Sequence, residues 1–239
     1  LQAAQAGAEL AVLPEYFCVM GQRDTDKLAL QELLGKGPIQ DWLAATAREL
    51  NLWLVGGTLP LSCEPRDEAR RSVGPPQAQA APSGGSAARE AAERGGKCRN
   101  ASLAFNPSGE RVPCDDKIHL FKFDDGRRVY DEAAVLARGS RPTLFDLPSR
   151  DGHTWRVGMS VGYDLRFPEL YRFYASAGAD LLLVPSAFTY VTGQAHWEVL
   201  LRARACLLST SDAADDMQCV DPGDRRSLQK NSHLFLIAL

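Results

Sequence analysis

Several features that mark particular classes of protein are missing from this sequence. It contains no run of Lys or Arg and no basic patch interleaved with aromatic residues, and its formal net charge is −3. Proteins that bind nucleic acid rely on such clusters of positive charge, so we expect no nucleic-acid partner. The sequence also has no apolar stretch long enough to span a membrane. We therefore expect no membrane partner either.

Cysteine and histidine are few and scattered. The six cysteines form no Cys-x-x-Cys pair, and the four histidines have no metal-ligand spacing. This pattern argues against a disulfide framework and against a zinc site, and it favours a reducing compartment. We expect a cytoplasmic protein that uses no metal ion and no cofactor.

What the chain does contain is the pattern of one large mixed domain. Apolar runs lie at residues 8–17, 52–61 and 181–188, helical periods at 1–8, 26–50 and 195–205, and a hairpin turn at 106–109. Because strands alternate with helices, an α/β fold is predicted. The adjacent Gly56 and Gly57 in the second apolar run predict a close approach of two backbone segments.

Two stretches depart from this pattern. Residues 63–98 are rich in Pro, Gly, Ala, Ser and Arg and have no hydrophobic period. We interpret them as a disordered surface insertion, with a segment that folds on a partner as the alternative. Residues 206–239 interrupt a helical pattern, and are either a loop with a final short strand, "HLFLIAL", or a translated sequencing adapter that is not native. The second interpretation is favoured because "CLLSTSDAADD" is followed by "VDPGDRR".

One stretch predicts an unusual turn. The sequence "VGMSVGYDLRFPELYR", residues 157–172, is typical of a strand that passes through a sharp elbow into a helix. An elbow of this kind presents a side chain beside converging backbone N–H groups, and several hydrolases place their nucleophile there. In this chain the elbow residue is Gly162, which has no side chain to present.

Three charged residues lie in stretches that also suggest a site. Glu15 follows an apolar run in "LPEYF", Lys117 is predicted at the start of a strand in "DDKIHLF", and Glu132 in a loop in "YDEAAVLARG". Functional sites on parallel sheets are commonly built just beyond the strand ends. Taken one at a time, each residue is better explained as a surface charge or a helix cap, since charged residues are mostly exposed.

The stretches "LPE", "DKIHLF", "YDLRFPELYR" and "PSAFTYVTGQAHWEVLLRARA" occur in the order and wording of the carbon-nitrogen hydrolase family, the nitrilase superfamily. Residues 1–205 resemble this family apart from the insertion, and most resemble its bacterial deaminated glutathione amidase and omega-amidase branch. The resemblance implies an αββα sandwich that pairs into a dimer through helices. It also implies hydrolysis of carbon-nitrogen bonds in small linear amides.

The resemblance also implies a role for each charged residue. In the family a cysteine thiolate attacks the amide carbon, and Glu15 would take the thiol proton and return one to the leaving amine. Lys117 and the backbone N–H of Tyr163 would stabilise the oxyanion. Glu132 would hold Lys117 and the attacking water. Two carboxylates beside one ammonium would keep that lysine charged while leaving one acid near neutrality.

The chain departs from the family at the decisive position, because Gly162 stands where the active enzymes have cysteine. Ser160 lies about 6–7 Å away along the strand. Cys18 lacks the elbow geometry, so neither residue is expected to replace the nucleophile. The chain also lacks the family's first strand and, after Ala205, the strands that complete the second sheet. We interpret both ends as cuts, and expect unpaired strand edges that weaken independent folding and dimer formation.

Two functions follow from these observations. The first is an amidase whose nucleophile has been replaced, so that the chain as written is inactive. The second is a pseudoenzyme that keeps the pocket as a small-molecule binding or regulatory module. The first is favoured because the three charged residues remain. Arg166 is left with two equal roles, a partner for a substrate carboxylate or an ion pair with Glu169 or Asp164.

Overall fold

The computed structural model describes residues 1–19, 21, 23–63, 96–124, 126, 129–208 and 235–238. The helices are α1 (Gln2–Gln5), α2 (Asp26–Ala29), α3 (Pro38–Leu50), α4 (Pro168–Ser176) and α5 (Tyr190–Leu208). The strands are β1 (Leu10–Val12), β2 (Trp53–Val55), β3 (Leu59–Ser62), β4 (Cys98–Phe105), β5 (Arg111–Asp116), β6 (Lys122–Asp124), β7 (Val129–Asp131), β8 (Leu136–Ala137), β9 (Thr143–Pro148), β10 (Thr154–Met159), β11 (Leu181–Val184) and β12 (Phe235–Ala238). No helix in this part of the chain is both long and apolar enough to cross a membrane.

The strands form two large sheets and one small ribbon. In the first sheet the order is β1-β2-β4-β3, and β5 and β8 also pair with β4. In the second sheet the order is β12-β11-β10-β9, with β10 parallel to β11 and antiparallel to β9. The ribbon is the antiparallel pair β6 and β7.

The buried side chains show how these sheets are layered. Leu43 of α3 packs with Leu54 and Leu103 on one face of the first sheet. On the opposite face, Val55 belongs to a cluster that includes Val157 of the second sheet, so the two sheets pack face to face. The outer face of the second sheet is covered by α4 and α5 through a third cluster. The architecture is therefore the predicted αββα sandwich.

The helix predicted over residues 26–50 is interrupted. α2 and α3 are separated by a loop in which Gly35 has a φ of +84° and Gly37 a φ of 150°. Pro38 then begins α3, a position where its missing N–H costs no intrahelical bond. The predicted end at Asn51 is confirmed, because this residue is left-handed, with a φ of 48°.

The apolar run at residues 52–61 forms two strands, not the single predicted one, because the chain turns at Gly56 and Gly57. The predicted close backbone approach is confirmed at Gly57, which has a φ of +34°. A Cβ there would collide with the carbonyl oxygen of Pro14. Glycine at this position therefore fixes the path of the segment that leads into Glu15.

The predicted hairpin at residues 106–109 is confirmed, since β4 and β5 are antiparallel across this turn. Most of the predicted insertion, residues 64–95, lies outside the described residues. The predicted insertion extends too far at its end, because Cys98 is a buried residue of β4 that pairs with Ser62.

The tail contributes to the sandwich. α5 begins at Tyr190 and continues to Leu208, past the predicted helix end at residue 205. Phe235–Ala238 forms β12, parallel to β11, which confirms the final strand of the loop-and-strand alternative. The edge of β11 is therefore paired, contrary to the expectation of an unpaired edge. Residues 209–234 and 239 lie outside the described residues, and the adapter interpretation stays a prediction.

Candidate active site

Glu15 is a buried carboxylate held by three donors. It lies three residues beyond the end of β1, as predicted, and is 5% exposed. Its Oε1 accepts hydrogen bonds from Lys117 Nζ at 2.9 Å and Asn100 Nδ2 at 2.8 Å. Its Oε2 accepts one from the N–H of Ala187 at 2.9 Å. These contacts fix both oxygens of a carboxylate that burial would otherwise penalise.

Lys117 bridges two carboxylates. It follows the last residue of β5 and does not begin a strand as predicted, since the apolar residues after it pack as a loop. Its Nζ is 3.0 Å from Oε1 of Glu132 and 2.9 Å from Oε1 of Glu15. Burial lowers the pKa of the Lys117 ammonium, but the two carboxylates outweigh burial and the pKa is raised above its ordinary value. The lysine is therefore charged, as predicted.

Glu132 begins a short 3-10 helix, Glu132–Ala134, in place of the predicted loop. Its Oε2 accepts the N–H of Phe121 at 2.7 Å, and its Oε1 accepts the hydroxyl of Tyr16 at 3.4 Å. Tyr16 has a φ of 57°, which is rare for a residue with a side chain. Tyr16, which follows Glu15 in the sequence, therefore hydrogen-bonds to the other carboxylate of the site, Glu132.

The predicted elbow is present. β10 ends at Met159, and Gly162 begins a 3-10 helix, Gly162–Arg166, that leads into α4. Gly162 has a φ of +43°, and a Cβ built on it would lie 2.5 Å from Oε2 of Glu15. A side chain at this position would therefore point directly at the carboxylate. The N–H of Tyr163 belongs to the first turn, where N–H groups have no partner within the helix.

A second buried carboxylate ties the elbow to the loop that carries Lys117. Asp164 accepts hydrogen bonds from the N–H of Val161 at 3.0 Å and from the N–H and Nδ1 of His119 at 2.8 and 2.7 Å. The His119 ring also stacks on Phe167, with centroids 3.6 Å apart. Asp164 therefore links the loop that follows Lys117 to the turn that contains Gly162.

Asp115, two residues before Lys117, lies close to Asp164. It is 1% exposed, and its Oδ1 has no hydrogen-bond partner. Burial, followed by the negative charge of Asp164, raises the pKa of the Asp115 carboxyl well above its ordinary value. Burial and the neighbouring carboxylate therefore both favour the protonated form of this side chain.

The two alternative nucleophiles lie outside the pocket, as predicted for Ser160, whereas Cys18 was allowed to approach it. The hydroxyl of Ser160 lies 2.8 Å from the hydroxyl of Tyr171 and donates to the carbonyl of Leu183 at 2.9 Å, on the helix side of the sheet. Cys18 packs against the core of the first sheet, and burial raises the pKa of its thiol to about 11. Neither residue lines the pocket described next.

All the predicted site residues line one open pocket with a cavity volume of about 160 Å³. They are Glu15, Lys117, Glu132, Gly162 and Tyr163. Arg166 also lines this pocket.

Arg166 forms no ion pair with Glu169 or Asp164 among the described residues, which removes the second of its predicted roles. Its Nη2 lies 3.2 Å from His196 Nδ1, and its buried Nε has no hydrogen-bond partner.

The described residues contain no group of three or more His, Cys, Asp or Glu side chains that could hold a metal ion. The supporting contacts of Asn100, Tyr16 and Asp164 carry no sequence signature of their own. The partners of Asn100 and Asp164 lie 85 and 45 residues away. The one feature of the sequence that points to Tyr16 and Asp164 is that each lies next to a predicted site residue, Glu15 and Tyr163 respectively.

An αββα sandwich with a buried carboxylate, ammonium and carboxylate facing a strand-to-helix elbow defines a class of hydrolase scaffold. The chain belongs to the carbon-nitrogen hydrolase family, whose model matches residues 1–208. It is 32% identical over 205 residues to the deaminated glutathione amidase of Synechocystis sp. (strain PCC 6803 / GT-S), covering 85% of this chain and 63% of that protein.

Two further relatives agree with this assignment. Omega-amidase NIT2-B of Xenopus laevis is 32% identical over 205 residues, which cover 85% of this chain and 60% of the relative. The crystal structure of Saccharomyces cerevisiae Nit3, a member of branch 10 of the nitrilase superfamily, matches with a TM-score of 0.59 and 27% identity. That match covers 84% of this chain and 59% of Nit3. The chain thus spans about three fifths of the length of these relatives.

Proposed function

We propose that this pocket is the site of an amidase for small linear amides, of the omega-amidase or deaminated glutathione amidase kind, in which Gly162 occupies the nucleophile position. The observation that carries the proposal is the direction of the missing side chain. A Cβ on Gly162 would face Oε2 of Glu15 at 2.5 Å, while Oε1 of the same carboxylate is bonded to Lys117. A base, a cation and an elbow therefore converge on one point.

The geometry supports a distinct role for each group. A primary amide whose carbonyl oxygen faces Lys117 Nζ and the N–H of Tyr163 meets two donors suited to an oxyanion. Glu15 is then within reach of both the attacking atom and the leaving nitrogen, as a general base that becomes a general acid must be. Glu132 orients Lys117 through their 3.0 Å contact.

With glycine at position 162, no described residue presents a nucleophile at the elbow, so we expect no amide turnover from the unaltered chain. The relatives named omega-amidase and deaminated glutathione amidase support the substrate class, a small amide that also carries a carboxylate. Arg166 at the pocket wall suits such a carboxylate because its guanidinium forms no ion pair with the described residues.

The proposal is tested by Gly162→Cys in the full chain. We expect hydrolysis of omega-amides and an acyl-enzyme visible by mass spectrometry, since the other groups already surround the site. Gly152→Cys is the matched control, because Gly152 also has a positive φ, of +86°, but nothing within 4 Å of its Cβ position. A Gly162→Cys protein that folds, binds the amide and forms no acyl-enzyme would contradict the amidase proposal.

The second candidate is a binding or regulatory module, and the glycine at the apex of the elbow is the observation that favours it. The pocket keeps two donors and one acceptor for an intact amide. Calorimetric titration of the unaltered chain with omega-amides measures this function directly. We expect Lys117→Met to abolish the binding, whereas binding unaffected by that change would contradict a module built on this pocket.

A further inference from the structure

We propose that Asn100, Ser102 and Asp115 hold one buried water molecule between the two sheets, and that this water fixes the side-chain amide with which Asn100 donates to Glu15. Ser102 and Asp115 then act as positioning residues for the carboxylate of the pocket. The inference concerns the support of Glu15 and requires no amide turnover, so it goes beyond the proposed function.

Three buried polar atoms on adjacent strands lack hydrogen-bond partners among the described residues. They are Asn100 Oδ1 and Ser102 Oγ of β4 and Asp115 Oδ1 of β5. Each of these residues is 1% exposed. Buried polar atoms are strongly disfavoured when they remain unpaired, and an ordered water that bonds to about three of them is the common way in which folded proteins satisfy them.

The strand register places the three side chains on one face of the first sheet. Ser102 lies opposite Asp115 in the antiparallel pair of β4 and β5, and opposite residues point to the same side, with Cβ atoms about 4.5–5.5 Å apart. Asn100 precedes Ser102 by two residues and shares its side, because successive side chains alternate along a strand. No direct hydrogen bond joins the three polar atoms. Polar neighbours at such a spacing that do not bond directly are suited to a bridging water.

This face of β4 is turned toward the second sheet. Ala104, two residues beyond Ser102, packs in the cluster that contains Val157 of the second sheet. Ala101 and Leu103 point the other way and pack on the side of α3. A water held by the three polar atoms is therefore enclosed between the sheets, and we expect it to exchange slowly with the solvent.

The chemistry of the three atoms sets the direction of each hydrogen bond. The Glu15 carboxylate only accepts, so Asn100 faces its Oε1 with Nδ2, at 2.8 Å, and turns Oδ1 away. Burial and the neighbouring charge of Asp164 favour the protonated form of Asp115, which can donate its proton to the water. The water then donates to Asn100 Oδ1 and to Ser102 Oγ. All three atoms are satisfied by this arrangement.

The water matters to the pocket because of what Asn100 holds. Its Nδ2 is one of three donors to Glu15, together with Lys117 Nζ and the N–H of Ala187. With the water in place, the Asn100 amide is held at both its nitrogen and its oxygen. Without the water it is held at the nitrogen alone, and one of the three bonds that orient the Glu15 carboxylate is weakened.

Oxygen-17 relaxation dispersion on the full chain counts the water molecules that stay bound for longer than the protein takes to tumble. We expect Asp115→Leu, which removes the donor and fills its space, to lower this count by one. Asp115→Asn keeps a donor at the same position and should keep the count. Ser108→Ala, a change at an exposed serine, should also keep it.

Hydrogen exchange of the Asn100 side-chain amide tests whether the water positions that group. Its rate is measured relative to the backbone N–H of Leu103 in the same strand. Asp115→Leu should raise this ratio at least about tenfold because a buried hydrogen bond is lost, and Asp115→Asn should change it by less than about threefold. A general loosening of β4 accelerates both groups and leaves the ratio unchanged.

Ser102→Val fills the same space from β4, should also lower the count by one, and serves as the second variant if Asp115→Leu does not fold. An unchanged count in a folded variant overturns the inference. A lower count with an unchanged exchange ratio overturns the positioning role, and loss of the water in Asp115→Asn overturns the role of the acid as its donor. Neither measurement uses an amide, so failure here leaves the proposed function standing.

Discussion

The charged network of Glu15, Lys117 and Glu132 and the elbow at Gly162 face the same pocket but differ in completeness. In the network every side chain is buried or half-buried, and each has hydrogen-bond partners between 2.7 and 3.4 Å. In the elbow the backbone turn is formed and Asp164 supports it, but the residue at its apex presents only a hydrogen atom. The charged network is thus complete in its contacts, whereas the elbow presents no side chain to the pocket.

This difference affects how strongly a substitution in each region should alter stability and activity. Buried charges are costly to keep, and a hydrophobic set of the same size would be at least as stable. Loss of one member of the network leaves its buried partners without a counter-charge, whereas the glycine at the elbow has no side-chain contact to lose.

The largest expected effect tests whether the network still works as a base. In the Gly162→Cys background, Glu15→Gln should lower kcat by about 10²–10⁴-fold, because it keeps the shape of the side chain and removes its proton acceptor. Glu49→Gln in the same background is the control. A loss below about threefold would mean that the network does not serve the elbow.

The next effect concerns stability. Lys117→Met leaves two carboxylates without their shared cation and should lower the free energy of unfolding by about 3–5 kcal/mol. Chemical denaturation measures this change, and Lys36→Met, at an exposed lysine, should change stability by less than about 0.5 kcal/mol. Equal effects of the two substitutions would show that the network is not energetically distinct from the surface.

A pH-dependent effect arises between the two regions, at Asp115. Because its pKa is raised, the folded state holds a proton that the unfolded state has lost, once the pH exceeds the carboxyl's ordinary value. The contribution of this proton to the free energy of unfolding is complete below the ordinary carboxyl pKa. It falls by about 1.4 kcal/mol per pH unit above that pKa, until the pH passes the raised pKa of the folded state. Asp115→Asn should remove this slope in denaturation curves from pH 4 upward. An unchanged slope would mean that Asp115 ionises normally in the folded protein.

The smallest effect isolates the elbow. Gly162→Ala should cost about 1–2 kcal/mol for placing a side chain in a left-handed backbone conformation. Gly152→Ala carries the same backbone cost without the contact, since nothing lies within 4 Å of its Cβ position. The difference between the two thermal denaturation results measures the contact with Glu15. We expect Gly162→Ala to be the less stable variant, and the reverse order would contradict the described direction of the side chain.

Local periodicity predicted the α/β class and several element ends, whereas the sandwich layers and the residues that line the pocket were implied by the resemblance to carbon-nitrogen hydrolases. Asn51 ends a helix and the turn at residues 106–109 closes a hairpin, and each feature depends on neighbouring residues. The strand predicted at Lys117 was wrong for a different reason. Ile118 and Leu120 are apolar because they pack against two separate core clusters from a loop, and not because they alternate along a strand.

The supporting contacts were out of reach of sequence reasoning. Asn100 bonds to Glu15 across 85 residues, and Asp164 bonds to His119 across 45. Asp164 had been considered only as a partner for Arg166, its neighbour in the elbow. Contacts of this kind form only when distant parts of the chain pack together, so the pattern of neighbouring residues in the sequence does not predict them.

The two sheets follow one another in the chain, and the pocket is built from residues on both sides of the boundary between them. The first sheet ends at Ala137 and the second begins at Thr143. Glu15, Lys117 and Glu132 all precede this junction, while Gly162 and Ala187, whose N–H donates to Glu15, follow it. A break in the loop between the sheets divides the site into two incomplete halves. Recovery of amide binding on mixing such fragments would then be a direct readout of sandwich reassembly.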